Sequence, residues 1–275
     1  MSKIASPYLR IGLVWLAMMV IWLLLPILRD RFWGTAPGDY SLGGHIMSAL
    51  LATALAVPVV VAARRVIDRR SVESLGLDMS PIAIRFFAIG ALAFLLPAAL
   101  GFAVVLGLGW AELVPLVPIS EIVLFVPLLI VLVFLFEALP EELAFRGYIQ
   151  GNLVPPLGYW GAIFAQAALF ALWGAALWTI TTGTLAFDRL VLFFFVALVL
   201  GIVRGVTGSV WTSIGLHVAF QTTAQLVLNS GRGHFAAQGI EMLQLIALGV
   251  VPFSLAALLT EVMKGRTKRS AVDER

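Results

Sequence analysis

At 275 residues the chain is 61% hydrophobic and only 12% charged, with a mean hydropathy of +1.03. A water-facing domain carries about a quarter charged residues, so the composition excludes a soluble globular fold and makes the bilayer the solvent. The sequence has no cysteine, which excludes disulfides, thiol nucleophiles and thiolate metal sites, and its net charge of +3 comes without the interleaved basic face that nucleic acid requires.

A hydrocarbon core of about 30 Å takes roughly 20 apolar residues to cross as a helix. Runs of that length lie at about 11–28, 43–63, 85–108, 119–139, 158–180, 189–206, 209–229 and 240–262. The expectation is an all-α, polytopic transmembrane helical bundle of about eight spans, forming a single integral membrane domain over 1–275. The first run follows Lys3 and Arg10 but ends in Leu25-Pro26-Ile27-Leu28-Arg29 without a small-residue cleavage site, and so reads as an uncleaved anchor. The sixth and seventh runs are separated only by Thr207 and Gly208.

Placing successive loops on alternate sides sorts the basic residues unequally. One side collects Lys3, Arg10, Arg64, Arg65, Arg69, Arg70, Arg85, Arg146, Arg204 and the tail residues Lys264, Arg266, Lys268, Arg269 and Arg275. The other holds Arg29, Arg31, Arg189 and Arg232. The positive-inside rule then predicts cytoplasmic termini and an even number of spans. Trp110, Trp160 and the run Phe193-Phe194-Phe195 are expected to face lipid or the interfaces.

Charge inside a span is costly, about 2.5–3.5 kcal/mol per residue on insertion scales. The densest group is Phe136-Glu137-Ala138-Leu139-Pro140-Glu141-Glu142-Leu143-Ala144-Phe145-Arg146-Gly147. On a helix kinked at Pro140, Glu137 and Glu141 are i,i+4 neighbours, and so are Glu142 and Arg146. An apolar setting suits Glu141 to taking a proton from water, with Glu142 and Arg146 paired beside it. An ordinary charged helix end at the membrane interface would show the same residues.

A second group is His217 with Gln221, i,i+4 on one face of a later run. An imidazole and an amide there can donate to an oxyanion or ligate a metal, although a lone histidine in a span more often bonds a neighbouring helix. His45 lies at the outer end of its span and His234 in an outer glycine-rich loop with Gly231, Arg232 and Gly233; neither is placed for chemistry.

Glu141-Glu142-Leu143-Ala144-Phe145-Arg146-Gly147 resembles the EExxxR signature of the CPBP family, the CAAX proteases and bacteriocin-processing enzymes, also called type II CAAX prenyl endopeptidases. His217-x-x-x-Gln221 is similar to that family's last motif, usually His-x-x-x-Asn. The resemblance covers a core of about 119–230 and implies an intramembrane endopeptidase. Its catalytic residues would be Glu141, Glu142, Arg146, His217 and Gln221, acting on a membrane-associated peptide or protein.

One position departs from the pattern. The family's Phe-x-x-x-His is here Phe170-Ala171-Leu172-Trp173-Gly174, and glycine can neither hold a water through a side chain nor bind a metal. A divalent metal such as zinc would be left with Glu141 and His217, fewer than the three protein ligands usual at a catalytic zinc. The loss of one partner from an acid–base unit costs orders of magnitude in rate, so a catalytically impaired pseudoprotease that binds a membrane partner is the alternative reading. A transporter component using Glu137, Glu141 and His217 is a third, disfavoured because the chain lacks two similar halves with broken helices. The expected setting is a multi-pass position in a bacterial cytoplasmic membrane, with lipid and substrate as partners and no nucleic acid.

Overall fold

A computed structural model describes residues 6–33, 40–185, 187–228 and 234–265. Lys3, the loop residues 231–233 and the tail cations from Arg266 to Arg275 lie outside the described residues.

In hydrocarbon every backbone N–H and C=O must be satisfied within the segment, so the Leu, Val, Ile and Ala runs form helices. They are α1 (Pro7–Trp33), α2 (Leu42–Ala62, extended by a π turn over Ala63–Ile67) and α3 (Ile82–Gly107). The next is α4 (Ile119–Val133), which runs through a π turn (Phe134–Ala138) into α5 (Leu139–Glu142). A second π stretch (Leu143–Ile149) leads on to α6 (Gln150–Thr182). The remainder are α7 (Phe187–Thr207), α8 (Val210–Leu228), a short α9 (Ile240–Met242), a π stretch (Leu243–Val250) and α10 (Val251–Lys264).

By length and composition, six helical runs among the described residues can cross a membrane: 7–32, 42–67, 82–107, 119–182, 187–207 and 240–264. The fourth is 64 residues long; at about 1.5 Å per residue it would span three bilayer cores if straight. Gly158, at φ 71° and ψ 179°, breaks it after Pro155 and Pro156. Val210–Leu228 is too polar to stand among the six, because it carries Thr212, Ser213, His217, Gln221, Thr222, Thr223 and Gln225. The protein is an all-α, multi-pass integral membrane protein. One small antiparallel pairing, unforeseen in the sequence, joins β1 (Glu112–Pro115) to β2 (Phe235–Gln238).

The long helical runs are joined by turns that gather at two ends of the bundle, and the run 119–182 is broken at Gly158. At one end Lys264 Nζ donates to the Val206 carbonyl, Arg85 donates to the Lys264 carbonyl, and the Val210 amide donates to the Gly76 carbonyl. This arginine-rich end holds Arg10, Arg64, Arg65, Arg69, Arg70, Arg85, Arg204 and Lys264. The other end carries the β1–β2 pair, the turn between α6 and α7, and Arg29, Arg31 and Arg189.

Close helix crossings fix the height of α8. A Cβ on Gly90 of α3 would lie 1.9 Å from the Thr212 carbonyl oxygen, and one on Gly215 of α8 would lie 2.0 Å from that of Phe87. Small residues let the two backbones touch, which is how helices associate where lipid supplies no hydrophobic drive. Trp110 and Trp160 are half-exposed, whereas the aromatic run divides: Phe195 is exposed, but Phe193 and Phe194 pack against the core. For Phe193 the lipid-facing expectation is therefore corrected, because its ring turns inward.

Candidate active site

Two π turns bracket Leu139–Glu142. Such wide turns arise where the regular ladder is interrupted, here around Pro140, and they re-aim the side chains that follow. Consecutive helical residues point about 100° apart, so Glu141 and Glu142 face different surroundings.

Glu142 is fully buried. Its Oε1 accepts from Arg146 Nη1 at 3.0 Å and from His217 Nδ1 at 2.8 Å. The first bond is the i,i+4 pair that the spacing suggested; the second bridges 75 residues and was not legible. It changes the position of the imidazole in the scheme. A carboxylate can only accept, so Nδ1 carries the hydrogen, and a neutral ring then leaves Nε2 as an acceptor. Arg146, also fully buried, lies with its guanidinium carbon 4.6 Å from the centre of the Phe170 ring. The phenylalanine of Phe-x-x-x-Gly is thus a platform for the arginine.

Glu141 faces a cavity of about 530 Å³, and no described residue hydrogen-bonds its carboxylate. The same cavity is lined by His217, Gln221, Glu137 and Gly174. Four of the five candidates thus sit at or directly behind one polar floor, and Gln221 lies just above it on the histidine's helix face. Gln225 continues that face by one more turn. It donates from Nε2 to both oxygens of Glu137, at 2.9 and 3.2 Å. The sequence signal for Gln225 was present, since His217, Gln221 and Gln225 recur every four residues.

Gly174 also lines the cavity, but the space a side chain would take is filled. A Cβ there would lie 2.7 Å from Phe193 Cδ2 and 2.8 Å from Cε2. Gln166, two turns earlier on α6, does not substitute: it is buried and donates to the Ala197 carbonyl at 2.8 Å. His45 packs edge-on to Phe136 and His234 stacks on Phe125, and neither lines the cavity.

A metal fits this donor set poorly. Among the described residues no group of three His, Cys, Asp or Glu side chains converges to hold an ion. His217 has one nitrogen committed to Glu142, Glu137 is engaged by Gln225, and Gly174 offers nothing.

Beneath the site, towards the arginine-rich end, a second buried network escaped sequence reading. Asp68 accepts from Arg64 Nη1 (2.8 Å), Arg10 Nη1 (3.2 Å), the Tyr148 hydroxyl (3.2 Å) and Asn152 Nδ2 (2.9 Å). Arg64 also donates to the Gly147 carbonyl at 3.3 Å. These bonds tie the loop after α2 to the π stretch that carries Arg146.

Residues 123–223 match the family model described as type II CAAX prenyl endopeptidase, Rce1-like. The match covers less than half of the chain but includes all five candidates and Gly174. No curated protein matches the chain significantly.

Proposed function

We propose, from the match of residues 123–223 to the type II CAAX prenyl endopeptidase, Rce1-like model, an intramembrane endopeptidase in which Glu141 activates water against a peptide bond. The observation that carries this reading is the shared cavity: an unpaired carboxylate and an imidazole from distant helices line one pocket, with the imidazole fixed by Glu142.

In this scheme Glu141 takes a proton from a water molecule while the water oxygen attacks the carbonyl carbon. Negative charge develops on the carbonyl oxygen, where the Gln221 amide N–H donates a hydrogen bond and His217 does so from Nε2 when its ring carries both protons, Nδ1 remaining on Glu142. As the C–N bond breaks, the proton held by Glu141 passes to the departing amine. Glu142 acts through His217: it fixes the tautomer and ring orientation, as a buried carboxylate does for a catalytic histidine elsewhere. Arg146 balances the Glu142 charge. No step here is routed through a metal, since the donors do not fit one. The setting is a bacterial cytoplasmic membrane, and the substrate a membrane-associated peptide or protein.

The filled space at Gly174 favours a second reading, a pseudoprotease that binds peptide without cutting it. Cleavage of a membrane peptide library in proteoliposomes separates the two. The protease reading expects products from the wild type and a loss of about 10²–10⁴-fold in Glu141→Gln, the range for a positioned general base. Equal product from both proteins, at any level, refutes it.

A further inference from the structure

The cavity has a direction. Its lining includes the buried residues Glu141, His217, Phe170 and Val196, which form its floor. From that floor the lining follows α6 up to Thr181, α7 back to Asp188, and α8 on to Leu228. Each of these three progressions runs towards the arginine-poor end. Thr181, Asp188 and Gln244, which form the rim, are exposed. No lining residue belongs to the arginine-rich end. There the way is shut by the wholly buried stretch Leu143–Ile149 and by the Arg64–Asp68–Asn152 network.

We infer that the substrate reaches Glu141 from the arginine-poor end of the bundle, as an extended apolar stretch of peptide presented on the extracytoplasmic side of the membrane. The side follows from charge: among the described residues eight cations stand at one end and three at the other, and the cation-rich end of a membrane protein is retained in the cytoplasm.

The form of the substrate follows from depth and lining. Phe170 and Thr181 are eleven residues apart on α6, which places the floor about 16 Å below the rim. An extended chain covers that depth with about five residues. An α-helix would arrive with its peptide groups already hydrogen-bonded along a rod about 10 Å across or more. Trp22, Leu177, Leu192, Phe193, Phe220 and Leu248 supply the walls, so apolar side chains are favoured. At the rim, Arg189 lies 4.4 Å over the Trp178 ring. This inference rests on Glu141 being the water-activating group, but the direction of approach is measurable without cleavage.

The native chain has no cysteine, so single cysteines report access directly. Three variants suffice: Ala224→Cys inside the cavity, Thr181→Cys at its rim and Arg70→Cys at the arginine-rich end. Each is treated in intact bacterial spheroplasts with a membrane-impermeant maleimide, then again after lysis. Ala224→Cys and Thr181→Cys react in intact cells, and Arg70→Cys only after lysis. Modified Ala224→Cys cleaves about ten-fold or more slowly than the same variant unmodified, the loss expected when a peptide is kept from its attack position; modified Arg70→Cys cleaves at its unmodified rate. Reaction of Ala224→Cys only from the side that exposes Arg70→Cys overturns the inference, as does modification at Ala224→Cys without loss of cleavage. If the wild type cleaves nothing, the protease reading falls, while the labelling pattern still decides the direction of approach.

Discussion

The ring of Phe193 occupies the space beside Gly174, within 2.7 Å of where a Cβ would stand. Phe193 also packs edge-on to Phe170, at 6.3 Å between ring centres, and Phe170 supports Arg146. The missing histidine is thus part of a repacked wall rather than an open gap.

Restoring histidine alone is therefore expected to fail. Gly174→His overpacks the wall and lowers stability by about 1–3 kcal/mol, visible as a lower unfolding temperature in detergent. Gly174→His with Phe193→Ala removes the clash, recovers most of the stability and raises peptide cleavage above wild type. A double variant that is stable but no faster shows that the histidine contributes nothing here.

Glu142 and Arg146 form a buried pair in which each charge depends on the other. Arg146→Met removes the cation that balances the buried Glu142 carboxylate and is expected to cost about 3–5 kcal/mol. Glu142→Gln loses the charge but keeps an amide oxygen where Oε1 now accepts from both Arg146 and His217, and is expected to cost less. Thermal unfolding of the two variants checks the order.

The crossing of α3 and α8 sets the height of His217. Gly215→Ala drives a methyl group against the Phe87 carbonyl oxygen, a 2.0 Å approach. Backbone there cannot move as a side-chain tip would, so α8 must shift. Cleavage is expected to fall with the fold retained, since displacement of about 1 Å at a reacting group costs around 10²-fold. Helicity by circular dichroism and the cleavage rate separate a shift from unfolding.

Asp68 accepts four hydrogen bonds at the closed end of the bundle. Asp68→Ala strands the buried Arg64 guanidinium and is expected to destabilise by about 3–5 kcal/mol. Cavity labelling at Ala224→Cys, measured below the lowered unfolding temperature, stays unchanged because Asp68 does not line the cavity.

The sequence by itself determined the bilayer as solvent, the helical runs, the unequal ends, and the local spacing of Glu142 with Arg146 and of His217 with Gln221. These are readable because helical period and hydropathy are local: they depend on residues within a few turns of one another. Even the departure at Gly174 was visible as a residue type. Only the tertiary structure decided that His217 bonds Glu142 across 75 residues, that Phe193 fills the place beside Gly174, that Asp68 gathers two arginines, and that the cavity opens at the arginine-poor end. Each of these depends on how far one helix slides and turns against another, and that is fixed where Gly90 and Gly215 let backbones meet. A periodic pattern states which face of a helix is polar, but not which distant face it will meet.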